Sequence, residues 1–524
     1  MIYKPLKNIG RQLSGYKISM MPRGGIDKES YEQVMDLEHA LSIINYIPKG
    51  YGLLKRGGLN KIFERAGTNP ITLLKEFTSG VWIFGYSTKI EAYNTTTEAF
   101  TSIKTNFSSN SGFDGARVGE YFFVCNGVDK LWRIDNALAI AEVAASPVFS
   151  GIKAIGARLY GWYGSQIQYS EVDDGSNPPF DGWTTTTAAD SGGTVNYRNA
   201  GTIRSVCQLG QYTVAFSDNG FFAFYINTLD SNGTLKKVEV IQNYTEDFGG
   251  ARGAIETPQG IYYVNEAGLW QMVSTGITNT PMSRQQVLTS TLLGSKYFEN
   301  VDQTSTDLVY DAQQKCIFVT CAKDSTVNNL VIGCAIDRKN AFFEIKGWNI
   351  NRFAKSGQTI YGASSVKTTV YELFSGSDDD GLNIGTVYHQ EIPLGTLFHK
   401  HSLGGVYAGG FLSPSTVNEI RFDIYNVKGK LITDKEIYEW TAQNTEGGYD
   451  EWASAMWGES GWGGQVDTSG LVESFDGGSP RINNLQRLRV KITGGDKLPQ
   501  IINWIAVKTT QKEPIKIRHI TRTT

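Results

Sequence analysis

The sequence predicts an all-β protein: a β-propeller of about seven blades, a C-terminal β-sandwich-like domain and an N-terminal extended arm. Three observations carry this. The 524 residues include 58 Gly against only 14 Pro, a composition rich in tight turns. From about residue 78 onward, short β-branched or aromatic runs end in Gly, Asn, Asp or Ser, which is the signature of strands joined by hairpins. A hairpin unit also recurs along the middle of the chain.

The arm, residues 1–75, holds the single helix-like pattern, near residues 28–45. There Val34, Leu37, Leu41 and Ile44 fall on one helical face, closed by Tyr46-Ile47-Pro48. The propeller is expected over residues 76–380. Its cleanest unit is Val124-Cys125-Asn126-Gly127-Val128-Asp129-Lys130-Leu131-Trp132, echoed by Ala215-Phe216-Ser217-Asp218-Asn219-Gly220-Phe221-Phe222. Taking Ile90, Leu131, Ile167, Phe222, Leu269, Val331 and Val370 as equivalent anchors gives spacings of 36 to 62 residues, with a mean near 47. A four-stranded blade takes roughly 40–50 residues. A lone hairpin with one apolar face is unstable in water, whereas radially stacked sheets bury both faces. A run of β-sandwiches built from similar hairpins is the competing arrangement.

Residues 381–507 read as the sandwich-like domain. Glu419-Ile420-Arg421-Phe422-Asp423-Ile424-Tyr425 and Leu485-Gln486-Arg487-Leu488-Arg489-Val490-Lys491-Ile492 alternate with period two, and Ile501 to Val507 form another strand. Residues 508–524 form a basic tail, where Lys508, Lys512, Lys516, Arg518 and Arg522 face only Glu513.

Composition excludes several functions. A net charge of −3 does not suit a protein that clamps DNA phosphates. No apolar run approaches the roughly 18 residues of a membrane helix, and the first residues lack the apolar core of a secretory signal. Five cysteines without CxxC spacing fit a reducing site of synthesis and no disulfide frame. His399 and His401 can share a strand face, but no third ligand stands nearby. No GxSxG elbow, phosphate-binding loop or His-paired nucleophile is present. We therefore expect no catalytic, cofactor-binding or metal site, no cofactor and no enzyme activity.

Two acidic turns bear on a glycosidase reading, since propellers can hydrolyse sugars with paired carboxylates. Ser170-Glu171-Val172-Asp173-Asp174-Gly175 misses the Asp-box spacing, and Asp378-Asp379-Asp380-Gly381 reads as a solvated hairpin loop. Two further groups are candidate contacts. Trp440, Trp452, Trp457 and Trp462 lie in a Gly-rich stretch and suit subunit contact, an intradomain core or a sugar platform. Lys49, Lys55, Arg56, Lys61 and Arg65, with Glu64 as the one nearby acid, suit DNA or an acidic partner, or simply a charged hairpin.

The order of several motifs resembles a known family. Pro22-Arg23-Gly24-Gly25-Ile26-Asp27, then Ile44-Asn45-Tyr46, then Gly52-Leu53-Leu54-Lys55-Arg56-Gly57-Gly58 are similar to the opening of tail hub or nozzle (tail tubular) proteins of short-tailed, podovirus-like bacteriophages. Gly57-Gly58 stands where that family usually has Pro-Gly. Ala157-Arg158-Leu159-Tyr160-Gly161-Trp162-Tyr163-Gly164 with Gln168-Tyr169-Ser170, and the Gln486 to Ile492 strand, also resemble its recurring strands. The resemblance implies a structural virion protein, assembled in the bacterial host cytoplasm and located in the tail. It implies a homo-oligomeric ring, typically hexameric, that extends the DNA-ejection channel below the portal and its adaptor (the head-to-tail connector). Tail spikes or fibres and a plug or needle protein are the implied partners. Genomic DNA passes through without sequence-specific binding, and no membrane insertion is implied. The alternatives are a glycan-binding or glycan-hydrolysing propeller of the tail, and a propeller interaction scaffold.

Overall fold

The computed structural model describes residues 16–20, 24–28, 39–50, 52–108, 112–172, 182–183, 192–196, 201–225, 239–244, 253–265, 268–275, 282–287, 293, 301–393, 399–412, 420–425, 482–485, 487–494 and 500–514. The chain divides into two compact units. One comprises Leu59–Ile336 and Lys346–Ser375; the other comprises Met1–Gly58, Asp337–Ile345 and Gly376–Thr524.

The first unit is a seven-bladed β-propeller. Blade 1 is Ile71–Thr78, Val81–Tyr86, Lys89–Asn94 and Ala99–Lys104; blade 2 is Asp114–Val118, Tyr121–Cys125, Trp132–Ile134 and Ile140–Glu142. Blade 3 is Gly151–Ile155, Arg158–Tyr163, Gln166–Tyr169 and Gly193–Asn196; blade 4 is Ile203–Leu209, Tyr212–Ser217, Gly220–Tyr225 and Glu239–Tyr244. Blade 5 is Ala254–Thr257, Gly260–Asn265, Gly268–Ser274 and Met282–Gln286; blade 6 places Val301–Asp311, Cys316–Lys323 and Leu330–Ala335 in this unit. Blade 7 takes Ile350–Ser356, Thr359–Ser364 and Thr368–Leu373 and completes itself with Leu59–Arg65, so Val370 pairs with Phe63 and Leu373 with Leu59.

The anchors of the sequence repeat all fall on the third strand of their blades or, for Leu131, at its mouth, and each is at most 1% exposed. The strands alternate or run fully apolar because both faces of each sheet are covered. Separate apolar clusters fill successive gaps between blades. Phe122 and Val124 meet Leu73 and Ile83; Trp162 and Ile167 meet Ala215 and Phe222; Tyr263 and Met272 meet Val214 and Phe216. All five cysteines are free and buried, and burial pushes the Cys207 thiol up to about 11. The first strands lie side by side around the axis, and the first strand of blade 7 touches that of blade 1, so the wheel closes.

Those first strands run the same way. Near their starts, the Phe113 amide donates to Thr72 Oγ1 at 3.2 Å, the Ile152 amide to Asp114 Oδ2 at 3.1 Å, and Asn351 Nδ2 to the Ile71 carbonyl at 2.6 Å. Near their ends, Arg117 Nη1 donates to the Phe77 carbonyl. A short side chain at one first strand thus caps the free edge amide of the next, satisfying groups the central opening leaves without a ladder partner.

The second unit is two sheets built from both ends of the chain. In one, Ile482–Leu485, His399–Leu412, Gln500–Pro514, Gly52–Lys55 and Tyr46–Lys49 lie in that order, with Tyr16–Met20 pairing along Gln500–Pro514. In the other, Ala341–Ile345, Ser42–Ile44, Thr386–Pro393, Arg487–Gly494 and Ile420–Tyr425 follow one another, and Gly25–Ile26 pairs in parallel with His39–Ala40 and with Phe342. Ile43, Tyr46, Leu53, Phe343, Tyr388 and Ile492 are fully buried in this unit.

Three expectations change. The helical pattern over residues 28–45 is overturned where it is described: His39–Ala40, Ser42–Ile44 and Tyr46–Lys49 are strands, because each finds a sheet partner, which outweighs a weak local period. Residues 29–38 lie outside the described residues. The propeller begins at Leu59 rather than 76, since Leu59–Arg65 closes the last blade. The N-terminal residues up to Gly58 belong to the same unit as residues 376–524, through pairs such as Ile501 with Leu54.

Candidate functional site

The motifs behind the family resemblance divide between the units: those within residues 22–58 and the strand Arg487–Gly494 lie in the second unit, while residues 157–164 and 168–170 form strands of blade 3. Asn45 ends the Ser42–Ile44 strand with a left-handed φ of 59°, a conformation its short amide side chain tolerates. Its amide donates to the Glu344 carbonyl at 2.8 Å, and its side-chain Nδ2 donates to the Gly385 carbonyl at 2.6 Å. Its Oδ1 accepts from Arg56 Nε at 3.0 Å, and its carbonyl accepts from the Arg56 amide at 3.1 Å. The Arg56 side chain is fully buried, and its fork closes on Asp379: Nη1 to Oδ1 at 2.8 Å and Nη2 to Oδ2 at 2.5 Å. This is the bidentate geometry guanidinium and carboxylate favour.

Two glycines of the motifs stand where a side chain does not fit. A Cβ on Gly58 would lie 1.8 Å from the Asp378 carbonyl oxygen, while the Gly58 amide donates to the Gly376 carbonyl at 3.1 Å. Gly25 has φ +80°, and its Cβ would lie 2.3 Å from the Phe342 amide nitrogen. Beside it, Lys28 Nζ pairs with Glu344 at 3.1 Å. Gly58→Ala is expected to cost about 1–3 kcal/mol through forced backbone movement, read as a lower urea midpoint for this unit; an unchanged midpoint would show that the turn 376–382 yields freely.

The acidic turn is therefore not a solvated loop throughout. Asp379 is 11% exposed at its side chain and neutralises Arg56. Asp378 Oδ1 instead accepts the Gly381 amide at 2.9 Å, tying the turn to itself. Among the described residues no group of three or more His, Cys, Asp and Glu is placed to hold a metal ion.

The basic residues singled out from sequence fall in both units. In the second, Lys49 is half-buried and Lys55 is buried, like Arg56. In the propeller, exposed Lys61 pairs with Glu64 at 3.0 Å, and Arg65 pairs with buried Glu91 at 3.1 Å while lying 4.9 Å over the Phe100 ring. Glu64 is held below the usual carboxylate range by the Lys61 hydrogen bond and charge. Trp440, Trp452, Trp457 and Trp462 lie outside the described residues, as do Asp173 and Asp174.

Sequence reasoning missed two features. Within the propeller, Lys153 of blade 3 meets Glu256 of blade 5 at 2.9 Å, and the same Glu256 Oε1 accepts the Gln208 amide of blade 4 at 2.6 Å. One carboxylate thus ties three blades at the axis; no local signal marks it. In the second unit, His389 pairs across strands with Lys491. Burial, then the Lys491 charge, hold its imidazole below the usual value. A depressed folded value means the unfolded chain takes the proton more readily, so stability is full above about pH 6.5 and falls as pH drops toward the folded value. We expect the urea midpoint of this unit to fall between pH 7 and pH 5, and His389→Gln to flatten that slope; an equal slope in the variant would assign it elsewhere.

No protein-family model and no curated protein matches this chain. Among solved structures it is similar to a chain of the Mitotic Checkpoint Complex at 10% identity, covering 60% of this chain and 91% of that one, with a TM-score of 0.39. The computationally designed Ika8 protein is similar at 8% identity over 66% of this chain and 98% of that one, TM-score 0.38. The extracellular domain of the putative one component system BT4673 from B. thetaiotaomicron is similar at 13% identity over 70% of this chain and 46% of that one, TM-score 0.43.

Proposed function

We propose that this chain is a structural subunit of a bacteriophage tail: a hub or nozzle protein whose copies form a ring extending the DNA-ejection channel. One observation carries the reading. Among the residues through which the sequence resembles that family, Gly24-Gly25, Asn45, Arg56 and Gly58 of the opening motifs are held by close contacts and hydrogen bonds within one unit, while residues 157–164 and 168–170 lie in blade 3. A rigid wheel serves such a part as a scaffold, and identical subunits close into rings through head-to-tail contacts.

The test is the mass of the purified full-length protein by light scattering, with antibody labelling of virions by negative stain. The reading predicts a species near six times the 57.8 kDa of one chain and label at the tail. A monomer that releases reducing ends from host polysaccharide would replace it with the glycan-hydrolysing alternative.

A further inference from the structure

One sheet of the second unit has two open edges, on opposite sides and at the same height. His399–Leu412 and Gln500–Pro514 form a long antiparallel ribbon, and Tyr16–Met20 pairs along the far side of Gln500–Pro514. Residues 405–409 and Tyr16–Met20 flank the same five residues, 504–508. Gly405, Lys508 and Tyr16 share one row, and Gly409, Trp504 and Met20 share another. Both flanking strands are antiparallel to the middle one, so they run parallel to each other. Among the described residues, no strand pairs with the outer edge of residues 405–412 or of Tyr16–Met20.

The first of these edges lacks the devices that keep an edge solitary. It reads Gly404-Gly405-Val406-Tyr407-Ala408-Gly409-Gly410-Phe411-Leu412, with no charge and no Pro, whereas solitary edges are blunted by charges, Pro or bulges. Its ladder shifts register between Leu403 and Gly405 and between Gly409 and Gly410, and the five pairs between those points are unbroken. An unbroken row of amides and carbonyls about 16 Å long is left for a further strand.

The chain itself meets this edge at Ile482–Leu485, which pairs with His401 and Leu403. The residues before it are Gly477-Gly478-Ser479-Pro480-Arg481. Pro480 has no amide to give a ladder and Gly weakens one, so this sequence is poorly suited to continue along 405–409. A second copy fits the step better. Ile482–Leu485 covers the edge as far as Leu403, and Tyr16–Met20 begins at the row of Gly405. Tyr16–Met20 of another copy, laid on 405–409, therefore abuts Ile482–Leu485 without overlapping it.

We propose that Tyr16–Met20 of one copy pairs in parallel with residues 405–409 of the next, so that the sheets of all copies join into one closed barrel. The contact is head-to-tail, using a different edge on each side, which is the kind that closes rings. Each copy supplies three strands at this height. Six copies give eighteen, and barrels of about sixteen to eighteen strands enclose an aqueous lumen. Strands ~4.8 Å apart and tilted ~40° place the backbone about 36 Å across. The inference rests on the reading of the chain as a ring subunit and names the contact that closes the ring.

Two measurements on the full chain test it. Ser19→Cys and Ala408→Cys share the row of Ile505 and hence one face of the sheet. They are made in separate copies, co-assembled, and treated with a short bismaleimide; the native thiols are buried. A two-chain product is expected from the mixture and from neither variant alone. In the wild-type protein, amide exchange over residues 405–409 and Tyr16–Met20 is expected to slow at least tenfold between dilute monomer and assembled ring. A two-chain product from either variant alone means like edges pair about a two-fold axis, and overturns the proposal. A ring that yields no two-chain product from the mixture, or whose exchange over these residues is unchanged by assembly, overturns it too and leaves the ring reading standing. A monomer at every concentration overturns both.

Discussion

Replacing Arg56 by Met is expected to destabilise the non-propeller unit by about 3–5 kcal/mol, the cost of breaking a buried ion pair from one side. The Arg56 side chain is 0% exposed and Asp379 11%, so the stranded carboxylate gains little water. Asn45 Oδ1 loses the Arg56 Nε donor as well. Asp379→Leu alone should cost a similar amount by leaving the guanidinium unmatched. The double variant Arg56→Met/Asp379→Leu should recover much of the loss, because the uncompensated charge is gone. Two units make a single global unfolding energy ill-defined. The readout is therefore amide hydrogen exchange in Tyr46–Lys49 and Thr386–Pro393, which should accelerate in both single variants and return toward wild type in the double. Equal exchange in all four proteins would mean the cluster is ornamental to this unit. Tyr46, whose hydroxyl lies 3.1 Å from Thr386 Oγ1 and is pushed by burial up to about 12, gives a second probe. Its fluorescence and ionisation should shift toward those of an exposed tyrosine in the single variants.

Phe63→Ala is expected to cost the propeller about 3–5 kcal/mol, the range for a large buried aromatic cut to a methyl. Phe63 sits on the closing strand Leu59–Arg65 at the seam between blades 7 and 1. Its ring centroid is 4.5 Å from Tyr93, 4.9 Å from Phe84 and 5.6 Å from Phe100. The same truncation at Phe222, buried between blades 3 and 4, separates closure from simple core loss. Both should lower the thermal midpoint, but only Phe63→Ala should speed exchange selectively in Leu59–Arg65 and Thr368–Leu373. Phe63→Leu should cost less, since it keeps most of the volume. Matching exchange profiles for the two alanine variants would show that the seam is no weaker than any other gap.

The propeller was legible because its signal is local and repeated. Every anchor, from Ile90 to Val370, is an apolar residue in a short run behind a turn, and hairpin chemistry announces such runs one blade at a time. The closing strand was not legible for the opposite reason. Leu59–Arg65 carries Lys61 and Glu64 on exposed positions and ends in half-buried Arg65, so alone it looks like a charged hairpin. Its partner, Thr368–Leu373, lies some three hundred residues away, and no periodicity reports such a pairing. Arg56 shows the same limit. In sequence it is one base among five; in the fold it is buried because Asp379 waits 323 residues on. Acidic and basic runs distant in sequence carry no mark of mutual neutralisation. Gly25 and Gly58 show it too: the backbone at Phe342 and Asp378 that leaves no room for a side chain there comes from some three hundred residues away.

Cryo-electron microscopy of the purified full-length chain tests the central claim most directly. The account predicts closed rings of identical subunits around an open channel, each subunit carrying a wheel of seven lobes. Isolated single wheels at every concentration, with no ring class among the particles, would contradict it.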